Sequence, residues 1–149
     1  VKIAVQSAGF DLGAEVEALR RGRTDIGAIA SFVGYARDHN DGAGVAALTL
    51  EHYPGMTEKA LADIVAQAAQ RWAVQDVTVI HRIGRLSPGD PIVLVAVASA
   101  HRGDAFAACE FLMDYLKTRA PFWKKEETPD GVRWVDARAS DELAAQRWS

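Results

Sequence analysis

The stretch Pro91–Lys125, PIVLVAVASAHRGDAFAACEFLMDYLKTRAPFWKK, decides the fold. Ile92–Ser99 is apolar at every position but its last. A strand apolar on both faces belongs in the interior of a sheet covered on both sides. His101-Arg102-Gly103 breaks the run, and Asp104–Lys117 resumes with a helical period. Phe106, Cys109, Leu112, Met113 and Leu116 then form a core stripe. Pro121 blocks any continuation of that helix, so Pro121-Phe122-Trp123 is expected to be extended.

Working outward, Val1–Gln6 alternates as a strand would, and Asp11 can cap a helix through Arg20 or Arg21 that stops at Gly22. Ile26–Gly34 is small and apolar, a strand whose glycines imply close backbone approach or a bulge. Arg37–Gly44 is a polar, Gly-rich loop, and Val45–His52 a strand ended by Tyr53-Pro54-Gly55. Leu61, Ile64, Val65, Ala68 and Trp72 recur at helical spacing, which predicts a long helix over Met56–Trp72 with Thr57 as its N-cap. Val77–Ile83 is β-branched, Leu86–Asp90 a turn, Val132–Asp136 a last strand and Ser140–Trp148 a short helix. Strands and helices mix without strict βαβ alternation. The expected class is α+β, with a mixed, largely antiparallel sheet and two long helices. No repeat or linker divides the sequence, so residues 1–149 are expected to form a single domain.

The composition is that of an ordinary globular protein, 49% apolar and 25% charged. No apolar run is long enough to cross a bilayer. Residues 1–10 have no long apolar stretch, so no secretory leader is expected, and one cysteine fits a reducing cytoplasm. A formal charge of −3 argues against a general nucleic-acid binder. Residues 101–125, however, carry five Lys/Arg against three acids, an excess that suits a small anionic ligand.

Four clusters can carry chemistry. His101-Arg102 follows the central strand and precedes a helix N-terminus, where anions are favoured. Lys117 and Arg119 stand at a helix C-terminus, which the dipole explains without function. Lys124 and Lys125 follow Pro-Phe-Trp and have no such explanation. A lysine beside other cations and partly desolvated has a lowered pKa and can act as acid, base or nucleophile. Arg37, just past a strand, can clamp a phosphate. Glu51 and His52 point to opposite faces of a strand and form no dyad, so His52 is expected to be packed. Cys109 lies on the apolar stripe and is expected in the core rather than as a nucleophile. The four histidines lack metal-ligand spacing, and no phosphate-loop, dinucleotide, GxSxG or HExxH motif is present. The residues alone leave open a non-catalytic module binding an anionic metabolite or nucleotide. A phosphate-ester hydrolase would need an internal nucleophile or a metal, and neither is evident.

FVGYARDHN (32–40), LTLEHYPGMTEKAL (48–61), HRIGRLSPGD (81–90), VASAHRGDAF (97–106), DYLKTRAPFWKKE (114–126) and RWVDARASD (133–141) occur in this order. Together they resemble the large, catalytic subunit of molybdopterin synthase. That resemblance implies an α/β hammerhead fold and a sulfurtransferase of molybdenum cofactor biosynthesis, with no cofactor or metal of its own. Sulfur would come from the Gly-Gly thiocarboxylate of a small ubiquitin-like partner subunit. It would be added to cyclic pyranopterin monophosphate to form the dithiolene of molybdopterin. The resemblance makes Lys117 and Lys124 catalytic, and gives Arg37, His101, Arg102 and Arg138 to the substrate pocket. Phe32, Arg119, Pro121, Phe122 and Trp123 would border the partner's tail. The assembly it implies is a homodimer within a heterotetramer, in the cytoplasm.

Overall fold

The computed structural model describes residues 1–135 and 138–149. The chain runs β1 (Lys2–Gln6), α1 (Leu12–Arg20), β2 (Ala28–Tyr35), β3 (His39–Asn40), β4 (Ala43–Gly44), β5 (Ala47–His52) and α2 (Met56–Arg71). It continues with β6 (Val74–Arg82), β7 (Gly84–Leu86), β8 (Pro91–Ser99), α3 (Arg102–Arg119), β9 (Phe122–Thr128), β10 (Gly131–Val135) and α4 (Ala139–Gln146). A first sheet has the order β1-β6-β8-β2, with only β1 and β6 parallel. A second, wholly antiparallel, has the order β10-β9-β5-β7. The α+β class, the largely antiparallel pairing and the two long helices are as expected.

β8 is an inner strand, and Val93–Ala98 are all buried. Val93, Val95 and Val97 face α2 and α3, where they meet Leu61, Ile64, Phe111 and Leu112. Leu94 and Ala96 face the opposite side and join Leu19 of α1 and Ile80. A smaller core of Ala36, Leu48, Leu50 and Leu86 seals the second sheet. Asp11 caps α1 as predicted, its carboxylate accepting from Ala14 N at 3.0 Å. Gly27 is the close approach expected in the small strand: a Cβ there would stand 1.9 Å from the Ala100 carbonyl oxygen. The register shifts between Gly34 and Tyr35, where β2 leaves its partner.

The structure corrects several local expectations. Arg37–Gly44 is no open loop, because Asp41 and Gly42 both take positive φ and turn β3 back onto β4. That is the two-residue hairpin that Asp-Gly favours. Leu86 belongs to β7 rather than to the turn after it. Thr57 is inside α2, and Gly55 is the N-cap. The buried Thr57 hydroxyl accepts from Tyr53 N and donates to the Pro121 carbonyl, both at 2.9 Å, tying α2 to the start of β9. Phe106 is 66% exposed, not core. Ala105 and Ala108 face inward instead, and their small size brings α3 close to the sheet, which turns Phe106 outward. Phe122–Thr128 is a full strand between β5 and β10. The predicted last strand is present to Val135, and its final residue, Asp136, lies outside the described residues.

Candidate active site

A cleft of about 340 Å³ opens between the two sheets. Strand alternation in β9 fills one wall. Phe122, Lys124 and Glu126 face the cleft, whereas Trp123 and Lys125 point the other way. Lys125 is accounted for structurally: its Nζ is 3.4 Å from Glu51 and 4.5 Å from the Trp134 ring centroid. Lys117, in the last turn of α3, reaches the cleft from a second direction. Arg37, just past β2, and Arg138, just before α4, complete a set of four cations.

Crowding of like charge has a direct consequence. Burial holds the Lys124 ammonium below the usual lysine range, and Lys117, Arg138 and Arg37 push in the same direction. Glu126 opposes them. A lysine so placed loses its proton at a lower pH than a free one does.

Arg138 is held by a buried polar chain. Glu126 is 3% exposed and accepts from Asn40 Nδ2 at 2.7 Å. That bond fixes the amide, leaving Asn40 Oδ1 to accept from Arg138. Arg133 closes the chain, 3.5 Å from the Glu126 carboxylate and donating to the Asn40 carbonyl at 3.2 Å. Sequence reasoning missed Asn40 and Glu126. The usable signals were the Asp41-Gly42 turn, which ties Asn40 into a hairpin, and the two-residue spacing of Phe122, Lys124 and Glu126. His81 was also missed. It lines the cleft with its ring stacked on Phe122 at 3.8 Å between centroids.

Lys117, Lys124, Arg37, Arg138 and Phe122 thus come together within one chain. His101 and Arg102 do not. They stand at the first turn of α3, roughly 22 Å along the helix axis from Lys117. Of the residues expected to border a partner's tail, only Phe122 lines the cleft. Phe32 is 42% and Trp123 46% exposed, on surfaces outside it. Arg119 lies over Tyr115, its guanidinium carbon 4.2 Å from the ring centroid. The Pro121 carbonyl is occupied by Thr57.

Cys109 is buried against β8, with Sγ 3.9 Å from the Val95 carbonyl. Burial, helped by Glu110, pushes its thiol up to about 11, so it is a poor nucleophile. His52 is packed as expected, with Nε2 3.7 Å from Glu58. Among the described residues no helix is long and apolar enough to cross a membrane.

Fold and cleft together define a class: an α+β protein that gathers lysines and arginines, without a reactive cysteine, between two sheets. Comparison with known proteins narrows it. The model of the MoaE protein family matches residues 5–119. A molybdopterin synthase catalytic subunit from Ralstonia nicotianae is 68% identical over 146 residues, 98% of this chain and 83% of its own length. A solved molybdopterin biosynthesis MoaE protein from Burkholderia ambifaria superposes with a TM-score of 0.85 at 61% identity, covering 99% and 97% of the two chains. A complex of subunits 1 and 2 of molybdopterin-converting factor from Helicobacter pylori shares the fold at 19% identity, with a TM-score of 0.74 over 91% of each chain. The chain belongs to the MoaE family of molybdopterin synthase catalytic subunits. Membership makes it a sulfurtransferase of molybdenum cofactor biosynthesis.

Proposed function

We propose that the cleft binds cyclic pyranopterin monophosphate and that sulfur reaches it on the thiocarboxylated Gly-Gly tail of a small ubiquitin-like partner subunit. The observation that carries this reading is the convergence of Lys117, Lys124, Arg37 and Arg138, from four separate segments, on one cleft. Arg37 and Arg138 are fixed cations suited to a phosphate, and Arg138 arrives already oriented by Asn40. Lys117 and Lys124 are proton carriers beside it. One orients the thiocarboxylate, and the other moves a proton as the cyclic phosphate opens and the partner's acyl group is released to water. Delivery of sulfur by the partner fits a chain whose one cysteine is buried and inert. The two-subunit Helicobacter assembly, which shares the fold, agrees with a separate partner.

His101 and Arg102 are too far from Lys117 to serve the same cleft in one chain. In this reading they serve the cleft of a second copy, in a homodimer that carries a partner subunit at each end. Exposed Trp123 and Phe32 offer apolar surface for the body of the partner, while Phe122 walls the path of its tail. Residues 1–149 act as one domain, in the reducing cytoplasm.

Incubation with a thiocarboxylated partner and the cyclic pterin, followed by assay of dithiolene, tests the reading. Lys117→Ala and Lys124→Ala should each lose ~10²–10⁴-fold in turnover while keeping fold and partner affinity. Near-normal turnover in both would remove the lysines from the chemistry. A loss confined to substrate affinity would favour a binding module instead.

A further inference from the structure

His81 lines the same cleft but has no task in the chemistry assigned to the lysines and arginines. It is the penultimate residue of β6, on the sheet face that carries Val77 and Val79, and pairs with Val93 of β8. Its ring lies on Phe122 at an interplanar angle of 17°. Nδ1 is 2.8 Å from the Arg82 carbonyl oxygen. A carbonyl can only accept, so the ring proton sits on Nδ1. Burial, together with the charges of Lys117 and His52, holds the pKa at about 4 against the opposing Arg82 hydrogen bond. The imidazole is therefore neutral at physiological pH, and Nε2 keeps its lone pair.

Nε2 has no hydrogen-bond partner among the described residues, nor is it sealed among the fully buried unpaired atoms. Its outlet is the cleft. Arg37, Lys117, Lys124 and Arg138 can only donate while charged. Asn40 Oδ1 is taken by Arg138, and Glu126 Oε1 by Asn40 and Arg133. Nε2 is thus an uncharged acceptor, distinct from the four cations and from the carboxylates of Glu126 and Asp141 that also line the cleft. The four cations select an anion but cannot recognise an N–H group.

We infer that His81 is a specificity-determining residue, whose Nε2 accepts a hydrogen bond from a ring N–H of the heterocycle whose phosphate the arginines hold. This rests on the cleft being the substrate site. A reduced pterin presents such N–H donors. A ring that offered only a lone pair there would leave Nε2 unpaired, and sites built around a hydrogen bond reject such analogues strongly.

His81→Phe keeps a flat ring against Phe122 and removes the acceptor, whereas His81→Gln keeps an acceptor at similar reach. With saturating thiocarboxylated partner, His81→Phe should raise KM for cyclic pyranopterin monophosphate about tenfold with kcat little changed. His81→Gln should recover part of the loss. Inhibition by inorganic phosphate should be the same in both variants as in the parent. An unchanged KM in His81→Phe, while Arg37→Ala raises it, overturns the role of His81 and leaves the cleft in place. A lower kcat with a displaced pH–rate profile at constant KM also overturns it, by assigning Nε2 to Lys117. If phosphate does not compete and Arg37→Ala leaves KM unchanged, the cleft is not the substrate site, and the inference falls with it. Should His81→Phe not fold, His81→Gln against His81→Met, similar in length but without a strong acceptor, reads the same difference.

Discussion

Lys124 and Lys125 are neighbours in sequence with opposite fates, and strand alternation alone separates them. Lys125 lies between Glu51 and Trp134, while Lys124 faces three other cations. Because Lys117 disfavours the charged form of Lys124, removing it should let Lys124 hold its proton to higher pH. In Lys117→Ala the Lys124 amine, followed by nitrogen NMR through a pH titration, should therefore titrate at a higher pH than in the parent. A downward or absent shift would mean that Lys117 does not disfavour the charged form of Lys124. Cys109→Ser should keep sulfur transfer, with a modest loss of stability from placing a hydroxyl in an apolar site. Abolished transfer in a folded Cys109→Ser protein would route sulfur through this chain after all. Lys124 and Arg37 were legible in the residues themselves, whereas Lys117 had a sufficient structural explanation in the helix dipole and Arg138 entered only with the family resemblance. Asn40, Glu126 and His81 were not legible, because a buried polar residue is recognisable only once its distant partners are known. Glu126 pairs with a residue 86 positions away.

Among the elements, β8 and α3 were the most legible, since one is apolar throughout and the other is stopped by a proline. β9 was only half read, as an extended segment. Its sequence, FWKKEET, is too polar to declare a buried strand, and its inner face meets a cleft rather than a core. The hairpin β3–β4 was hidden by its shortness. The face of α3 was misjudged at Phe106 because periodicity does not say which of two adjacent stripes meets the sheet. Gly27 shows what close packing of elements demands. Gly27→Ala would drive a methyl group into the Ala100 carbonyl, a backbone atom that cannot swing aside. It should cost about 1–3 kcal/mol in urea denaturation, and a variant as stable as the parent would show that β2 and the β8–α3 turn separate freely.

At the scale of the whole molecule, the separation of His101-Arg102 from Lys117 yields a test that needs no structure of the assembly. If each cleft takes Lys117 from one chain and Arg102 from the other, then Lys117→Ala and Arg102→Ala should complement. Mixed and re-associated in equal amounts, two individually weak variants should regain about a quarter of parental turnover. Half of the dimers would then be mixed, each with one intact cleft. No recovery, with mixed dimers shown to form, would place each cleft within a single chain. With complementation, the two ends of α3 belong to two different reaction centres, which makes the helix a ruler. Its eighteen residues set both the spacing and the relative rotation of those centres. Deleting one residue from its middle would shorten it by about 1.5 Å and turn one end by about 100° against the other. Both centres would then lose their alignment at once, although every residue that touches substrate was still present.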